Sequence, residues 1–181
     1  NPLCLAAMSD NIALKKDSYG ECVSILLTYG ANLNHKNDDG LTPIKIASRV
    51  GNDDAVYFLI EKITDPNQIF NDTEVYPAPI LAIINSIYGL NRGFSESHEN
   101  CLLLMLNKFP DLINKQNKNN ETMMMFVCRA GNYELIKKIH ALYPITSDVF
   151  IDYSLRDNRN KVDDSIREIE NTGRTAFDFF L

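Results

Sequence analysis

Three histidines and four cysteines are the residues of this chain whose chemistry could hold a metal ion or attack a substrate. They are His35, His98, His140, Cys4, Cys22, Cys101 and Cys128. The cysteines are widely separated and contain no CxxC pair, and the His98-Glu99 dipeptide lacks the second histidine of the HExxH zinc motif. We therefore predict no metal site and no cofactor. We interpret the cysteines as reduced core thiols, typical of a reducing, cytosol-like compartment.

Acidic pairs and a loop with two glycines are the remaining candidates for ligand chemistry. Asp38-Asp39 and Asp53-Asp54 lack the ligand spacing of an EF-hand loop. Residues 89–93 lack the lysine and the preceding strand of a phosphate-binding loop. No histidine stands near a serine or cysteine in a recognisable nucleophile arrangement. We predict no enzymatic activity within this segment.

Composition and charge narrow the class of protein. The chain has 181 residues, of which 45% are hydrophobic and 23% charged, as in ordinary folded domains. Its net charge of −6 argues against a nucleic-acid partner, which would require clustered lysine and arginine. The longest apolar runs fall far short of the roughly 20 residues of a membrane span, and we find no signal peptide. We predict a cytoplasmic, monomeric protein with a single domain over residues 1–181.

The helices and turns that would position the candidate residues are most clearly predicted in residues 37–60. Gly40 permits the backbone of a tight hairpin tip, and Thr42-Pro43 is predicted to start a helix. In that helix the threonine hydroxyl would act as the cap, and Gly51 would end it. A second helix is predicted to follow at once, and its buried residues, at helical spacing, are Val56, Leu59 and Ile60.

This pattern resembles the ankyrin repeat, a β-turn followed by two antiparallel helices with a period of about 33 residues. The preceding unit has a matching end, in which Gly30-Ala31 closes a leucine-rich helix. The resemblance implies an all-α, ankyrin-type helix-turn-helix solenoid of about 4–5 stacked repeats. The predicted units are about 1–36, 37–70, 71–116, 117–156 and 171–181, the last one truncated. We interpret the chain as a fragment of a larger protein.

The later units depart from the pattern, and irregular insertions interrupt it. In unit three Ala78-Pro79 replaces Thr-Pro, and the second helix is predicted over residues 101–108. Unit four has Met123 in place of the proline. The insertions lie near residues 10–19, 88–99 and 145–170. They would either carry binding loops or only lengthen helices, and the sequence leaves both interpretations open.

The resemblance also implies a concave face, formed by hairpin tips and first helices, that binds a partner protein. The family's variable positions on that face fall on Asp38, Asp39, Leu41, Arg49, Val50, Glu74, Val75, Tyr76, Asn85, Lys118, Asn119, Glu121, Arg129 and Arg174. We expect Tyr76 to be an aromatic anchor, since tyrosine often dominates interface energy. We expect the arginines to face acidic groups of the partner. The carboxylates Asp38, Asp39 and Glu74 would face basic groups.

Two further hypotheses concern the parent protein. In the first, the solenoid is a non-binding structural arm, or a substrate-targeting arm, packed against a catalytic domain elsewhere in the chain. Such packing predicts apolar surface at an end, notably around Phe177, Phe179 and Phe180. In the second, based on family analogy and on an Asn-, Ile- and Lys-rich composition, the chain belongs to a host-directed effector acting in host cytosol.

Overall fold

The protein folds into pairs of short antiparallel helices. The structure, a computed structural model, describes residues 1–9, 18–88, 96–129 and 133–142. Within these ranges there are eight α-helices and no β-strand. The helices are α1 (Pro2–Met8), α2 (Ser18–Thr28), α3 (Pro43–Val50), α4 (Asp53–Lys62), α5 (Ala78–Tyr88), α6 (Glu96–Lys108), α7 (Met123–Arg129) and α8 (Tyr133–Leu142). Short 3-10 turns follow α4 and α6, at Pro66–Gln68 and Pro110–Asn114.

The pairs stack in chain order. Units one to four consist of α1 with α2, α3 with α4, α5 with α6, and α7 with α8. The first helix of each unit packs on the first helix of the next, so that α1, α3, α5 and α7 form one row, the inner helices. The second helices form the other row, the outer helices, in which α4 lies between α2 and α6. This confirms the predicted all-α solenoid of the described residues.

Helix α3 starts and ends at the predicted residues, with one difference. Pro43 is its first residue, and Gly51 ends it in the left-handed conformation, with φ of 75°. The amide of Gly51 donates to the carbonyl of Ala47, which satisfies one of the carbonyls that a helix end leaves free. The prediction that the Thr42 hydroxyl caps this helix was wrong, because Thr42 makes no side-chain capping hydrogen bond.

The start of α6 was also predicted wrongly. The helix begins at Glu96, five residues before Cys101, so the end of the insertion near 88–99 belongs to a regular helix. Its first turn contains Glu96 and Glu99, and carboxylates there interact favourably with the positive end of the helix dipole. The rest of that insertion, most of the insertion near 10–19, and the whole of 145–170 lie outside the described residues.

Cysteine burial follows the prediction at two of the described positions and not at a third. Cys4 and Cys101 are buried free thiols, and burial raises the pKa of both, Cys101 more strongly. Cys22 is a free thiol as well, but it is exposed on α2, so its interpretation as a core residue was wrong. The side chain of Cys128 lies outside the described residues.

Side chains of later units cap the helices of earlier ones. Asn52 Nδ2 donates to the carbonyl of Ser9, at the end of α1, over 2.8 Å. His98 Nε2 lies 3.2 Å from the carbonyl oxygen of Arg49, near the end of α3. Lys108 Nζ donates to the carbonyl of Ile60, near the end of α4, over 2.6 Å. These contacts satisfy helix-end carbonyls and tie each unit to the next.

The His98 contact gives a first test of this packing. Gly51 and Gly40 have nearly the same left-handed φ, 75° and 74°. A Cβ on Gly51 would lie 2.6 Å from the His98 ring, whereas one on Gly40 would meet nothing within 4 Å. Gly40→Ala should therefore cost only about 1–2 kcal/mol of unfolding free energy, the strain of a left-handed alanine. Gly51→Ala should cost clearly more in the same urea titration, and equal losses would contradict the packing of His98 on Gly51.

Candidate partner-binding face

The hairpin tips of units two and four are built in the same way. At tip two, residues 37–41, the Asn37 side-chain oxygen accepts hydrogen bonds from the amides of Asp39 and Leu41, over 3.1 and 2.8 Å. At tip four, residues 117–121, the Asn117 side-chain oxygen accepts from the amides of Asn119 and Glu121, both over 2.9 Å. An asparagine thus organises each tip from within, while the side chains of Asp38, Asp39, Lys118 and Asn119 are exposed.

Tip three, residues 71–77, is joined to tip four. The amide of Lys118 donates to the carbonyl of Glu74 over 2.9 Å, and Asn117 Nδ2 donates to the carbonyl of Val75 over 2.7 Å. Asn117 therefore holds its own tip and the neighbouring tip together. The backbones of the two tips have a fixed relation to each other, so their side chains would approach a partner as one surface.

An ion pair anchors tip three to unit two. Lys45, on α3, is only 6% exposed, and its ammonium group pairs with the Glu74 carboxylate. A buried lysine needs such a partner, because an isolated ammonium group pays a large desolvation cost. Sequence reasoning placed Glu74 on the binding face, opposite basic groups of a partner. In the structure the Glu74 carboxylate instead pairs with Lys45 of the same chain. Lys45 was not predicted as a site residue, because Glu74 lies in the next unit.

The described candidates differ in exposure. Exposed side chains on the tips are those of Asp38, Asp39, Tyr76, Lys118 and Asn119. Half-buried candidates are Leu41, Arg49, Val50, Glu74, Val75 and Asn85. Asn85 Nδ2 donates to the carbonyl of Leu81 within α5, over 2.9 Å. Arg129 is the last residue of α7 and its side chain lies outside the described residues, as does the whole of Arg174.

Glu121 is placed in the interior. Glu121 is only 5% exposed, and its Oε2 accepts a hydrogen bond from Asn117 Nδ2 over 3.2 Å. A carboxylate in this position supports the tip and is not presented to a partner. The expectation that Glu121 contributes to the binding face does not fit this burial, since Glu121, the last residue of tip four, is turned into the interior.

His98 was dismissed as a zinc ligand from sequence and has a structural contact instead. Its Nε2 faces the Arg49 carbonyl, so the hydrogen bond requires a proton on Nε2, while Nδ1 is buried without a hydrogen-bond partner. Burial lowers the pKa of His98, although the Arg49 carbonyl and the Asp53 carboxylate act in the opposite direction. No group of three or more histidine, cysteine, aspartate or glutamate residues that could hold a metal ion occurs in the described part of the chain.

The comparisons with known proteins agree with this geometry. A family model for ankyrin repeats in three copies matches residues 1–70, and one for ankyrin repeats in many copies matches residues 92–140. The chain belongs to the ankyrin repeat family. It is similar to an ankyrin repeat protein of Rickettsia bellii, at 38% identity over 74 residues. That match covers 40% of this chain and 39% of the relative's length.

Membership in the ankyrin repeat family bears on function at a coarse level. Ankyrin repeats are generally protein–protein interaction modules and typically non-catalytic. In the parts of the chain that the structure describes, no helix has the length and apolar character needed to cross a bilayer.

The protonation of His98 should make stability depend on pH. A lowered folded-state pKa means that the unfolded chain binds the proton more readily, with a pKa of about 6.5. The contribution of His98 to stability is therefore complete above that pH and is lost as the pH falls through the folded-state pKa. His98→Gln keeps a donor but cannot titrate. We expect the thermal midpoint of the native chain to fall more steeply between about pH 7 and 5 than that of the variant.

A variant with the exposed His35 replaced, His35→Gln, is the control for this pH series. It should retain the slope of the native chain, because His35 lies outside the contact between α3 and α6. Identical slopes for the native chain and His98→Gln would contradict the burial of His98.

The Lys45–Glu74 pair gives a test of how tip three is anchored. Lys45→Met should lower the unfolding free energy by about 1–3 kcal/mol, because it leaves the Glu74 carboxylate half-buried without its cation. Combining it with Glu74→Gln should restore much of the loss. The control is Lys137→Met, which removes an exposed pair with Glu134 and should cost about 0–1 kcal/mol. Strictly additive losses for Lys45→Met and Glu74→Gln in a double-mutant cycle would contradict the ion pair.

Proposed function

We propose that this ankyrin domain binds a partner protein through a surface formed by its hairpin tips and inner helices. The observation that carries the proposal is the combination of fixed tip backbones with exposed tip side chains. Asn117 links tips three and four through hydrogen bonds, while Tyr76, Lys118 and Asn119 beside it stay exposed. A surface held in its bound shape before binding loses less conformational entropy when a partner docks.

The exposed side chains of the tips are not packed in the hydrophobic core. Asp38 and Asp39 lie at the exposed end of tip two, and Asp39 forms hydrogen bonds there with Asn37, within the tip itself. Tyr76 is 52% exposed on tip three, although burying such a ring would be favourable. These residues support the fold little, and each has a type that contributes to interfaces through charge or aromatic contact.

The charges of the tips suggest the character of the partner. The two aspartates of tip two would face basic groups, and Lys118 of tip four would face an acidic group. Glu74, which sequence reasoning included among the acidic contacts, is left out because Lys45 already neutralises it. Arg49 is half-buried in the last turn of the inner helix α3 and remains part of the proposed surface.

The non-binding structural arm and the host-directed effector remain predictions. The apolar residues Phe177, Phe179 and Phe180, on which the first would depend, lie outside the described residues. A cytoplasmic location, a monomeric state and the absence of catalysis in the segment are likewise proposals. The identity of the partner would separate these roles, since a substrate-targeting arm and an effector bind different classes of protein.

The chain offers a matched pair of variants to test the proposed surface. Tyr76 on tip three and Tyr57 on the outer helix α4 are almost equally exposed, at 52% and 51%. Asp38 on tip two and Glu61 on α4 are both exposed acids. The test variant is Asp38→Lys with Tyr76→Ala, and the control is Glu61→Lys with Tyr57→Ala. Both variants remove one ring and reverse one charge.

The partner is first captured from cell lysate with the native chain and then purified for titration. The test variant should weaken its affinity at least about ten-fold, which corresponds to roughly 1.4 kcal/mol. The control variant should bind as tightly as the native chain. Equal affinity of the native chain and the test variant, or a loss with the control alone, would move the binding surface away from the tips.

A further inference from the structure

Lys45 is a charged residue at a buried position of the inner helix α3. It is 6% exposed, and its ammonium group pairs with the carboxylate of Glu74 on tip three. Lysines are almost never buried this deeply unless they are paired, because taking an ammonium group out of water costs free energy. Replacing such a pair by apolar residues of similar volume often leaves stability unchanged or raises it. The stability that the pair adds is therefore a poor explanation for its presence, and its geometry is a better one.

Glu74 is held by the units before and after its own. Its carboxylate pairs with Lys45 of unit two, and its carbonyl accepts a hydrogen bond from the amide of Lys118, on tip four, over 2.9 Å. Its own amide donates to the carbonyl of Asn71 over 3.1 Å and closes the turn at the end of tip three. Tip three is thus restrained toward α3 by a side chain and toward tip four by its backbone.

Tyr76 follows Glu74 by two residues, and its backbone has little freedom of its own. The carbonyl of Val75 accepts a hydrogen bond from Asn117 Nδ2 over 2.7 Å. Pro77 comes next, and a proline restricts both its own φ and the conformation of the residue before it. The Pro77 carbonyl accepts from the amide of Leu81 over 2.9 Å, in the first turn of α5. The position of the Tyr76 ring therefore follows the position of the tip as a whole.

Lys45 is too deeply buried to contact a partner itself. Tyr76, in contrast, is 52% exposed. An effect of Lys45 on binding would pass through Glu74 to the exposed residues of tip three. Glu74 was expected from the sequence to face basic groups of a partner, and in the structure the basic group that it faces is Lys45.

We propose that Lys45 is a positioning residue for the partner-binding tips: through Glu74 it holds tip three so that Tyr76 is in place before a partner docks. This inference rests on the proposed function, in which Tyr76 contacts the partner. A loop that must be ordered during binding lowers the affinity, because the lost conformational freedom opposes association. The affinity is then set in part by a residue that touches no partner.

A fluorescent reporter tests whether Lys45 holds tip three. The chain contains no tryptophan, so Tyr76→Trp introduces a single reporter on that tip. Tyr57→Trp on α4, which starts from nearly the same exposure, is the control reporter. Each is combined with Lys45→Met and with the double variant Lys45→Met, Glu74→Gln. Nanosecond anisotropy decay is then measured under conditions in which a urea titration shows every variant to be folded.

We expect Lys45→Met to raise the amplitude of nanosecond motion at position 76 at least about two-fold, within the time range of loop motions, and to leave position 57 unchanged. The double variant should recover much of the lost stability but not the link to α3, so motion at position 76 should stay raised. Unchanged motion at position 76, equal increases at the two positions, or motion that recovers together with stability would each overturn the proposal.

The affinity for the purified partner is the second measurement. Lys45→Met should weaken binding about three- to ten-fold in the native chain, and much less in a chain that already carries Tyr76→Ala. No loss in the native chain, or equal losses in the two backgrounds, would overturn the proposal. If Tyr76→Ala alone leaves the affinity unchanged, the proposed contact at Tyr76 fails, whereas the anisotropy comparison still decides whether Lys45 holds tip three.

Discussion

Every feature of this protein depends on the burial of apolar side chains between adjacent repeat units. A single helical hairpin has too little interior to bury its own apolar residues, so each unit must complete its core with those of its neighbours. Ile46 of α3 illustrates the constraint, because it is fully buried in a helix that packs against the inner helices of the units before and after it. The small residues Ala47 and Ser48 beside it allow the inner helices to approach closely. The order of the units, and with it the position of every tip, follows from this packing.

Polar contacts between units fix the position of each unit relative to the preceding one. Asn52, His98 and Lys108 each reach a carbonyl at the end of a helix in the preceding unit. Apolar surfaces can slide over one another at little cost, but a donor that must meet one carbonyl cannot. These contacts therefore fix the units in place without using the side chains at the exposed ends of the tips, which remain available to a partner.

Features that depend on local backbone geometry could be predicted from the sequence, and those that depend on a distant unit could not. Pro43 and Gly51 define α3 through their own conformational preferences, and both positions were predicted. Glu74 was assigned to the partner surface because its cation, Lys45, lies 29 residues earlier in another unit. Glu121 was assigned there for a similar reason, since only the folded tip shows its hydrogen bond to Asn117. The early start of α6 followed an irregular insertion, where the repeat period gives no guidance.

In the proposed mode of binding, the hairpin tips contact the partner and the outer helices support them. Hydroxyl-radical footprinting of the purified complex with its partner would test this most directly, because tyrosine is readily oxidised when exposed. Tyr76 on tip three and Tyr57 on α4 start from nearly equal exposure, 52% and 51%. Oxidation of Tyr76 should fall several-fold on binding, while that of Tyr57 should stay at its level in the free chain. Protection of Tyr57 with no protection of Tyr76 would contradict the account.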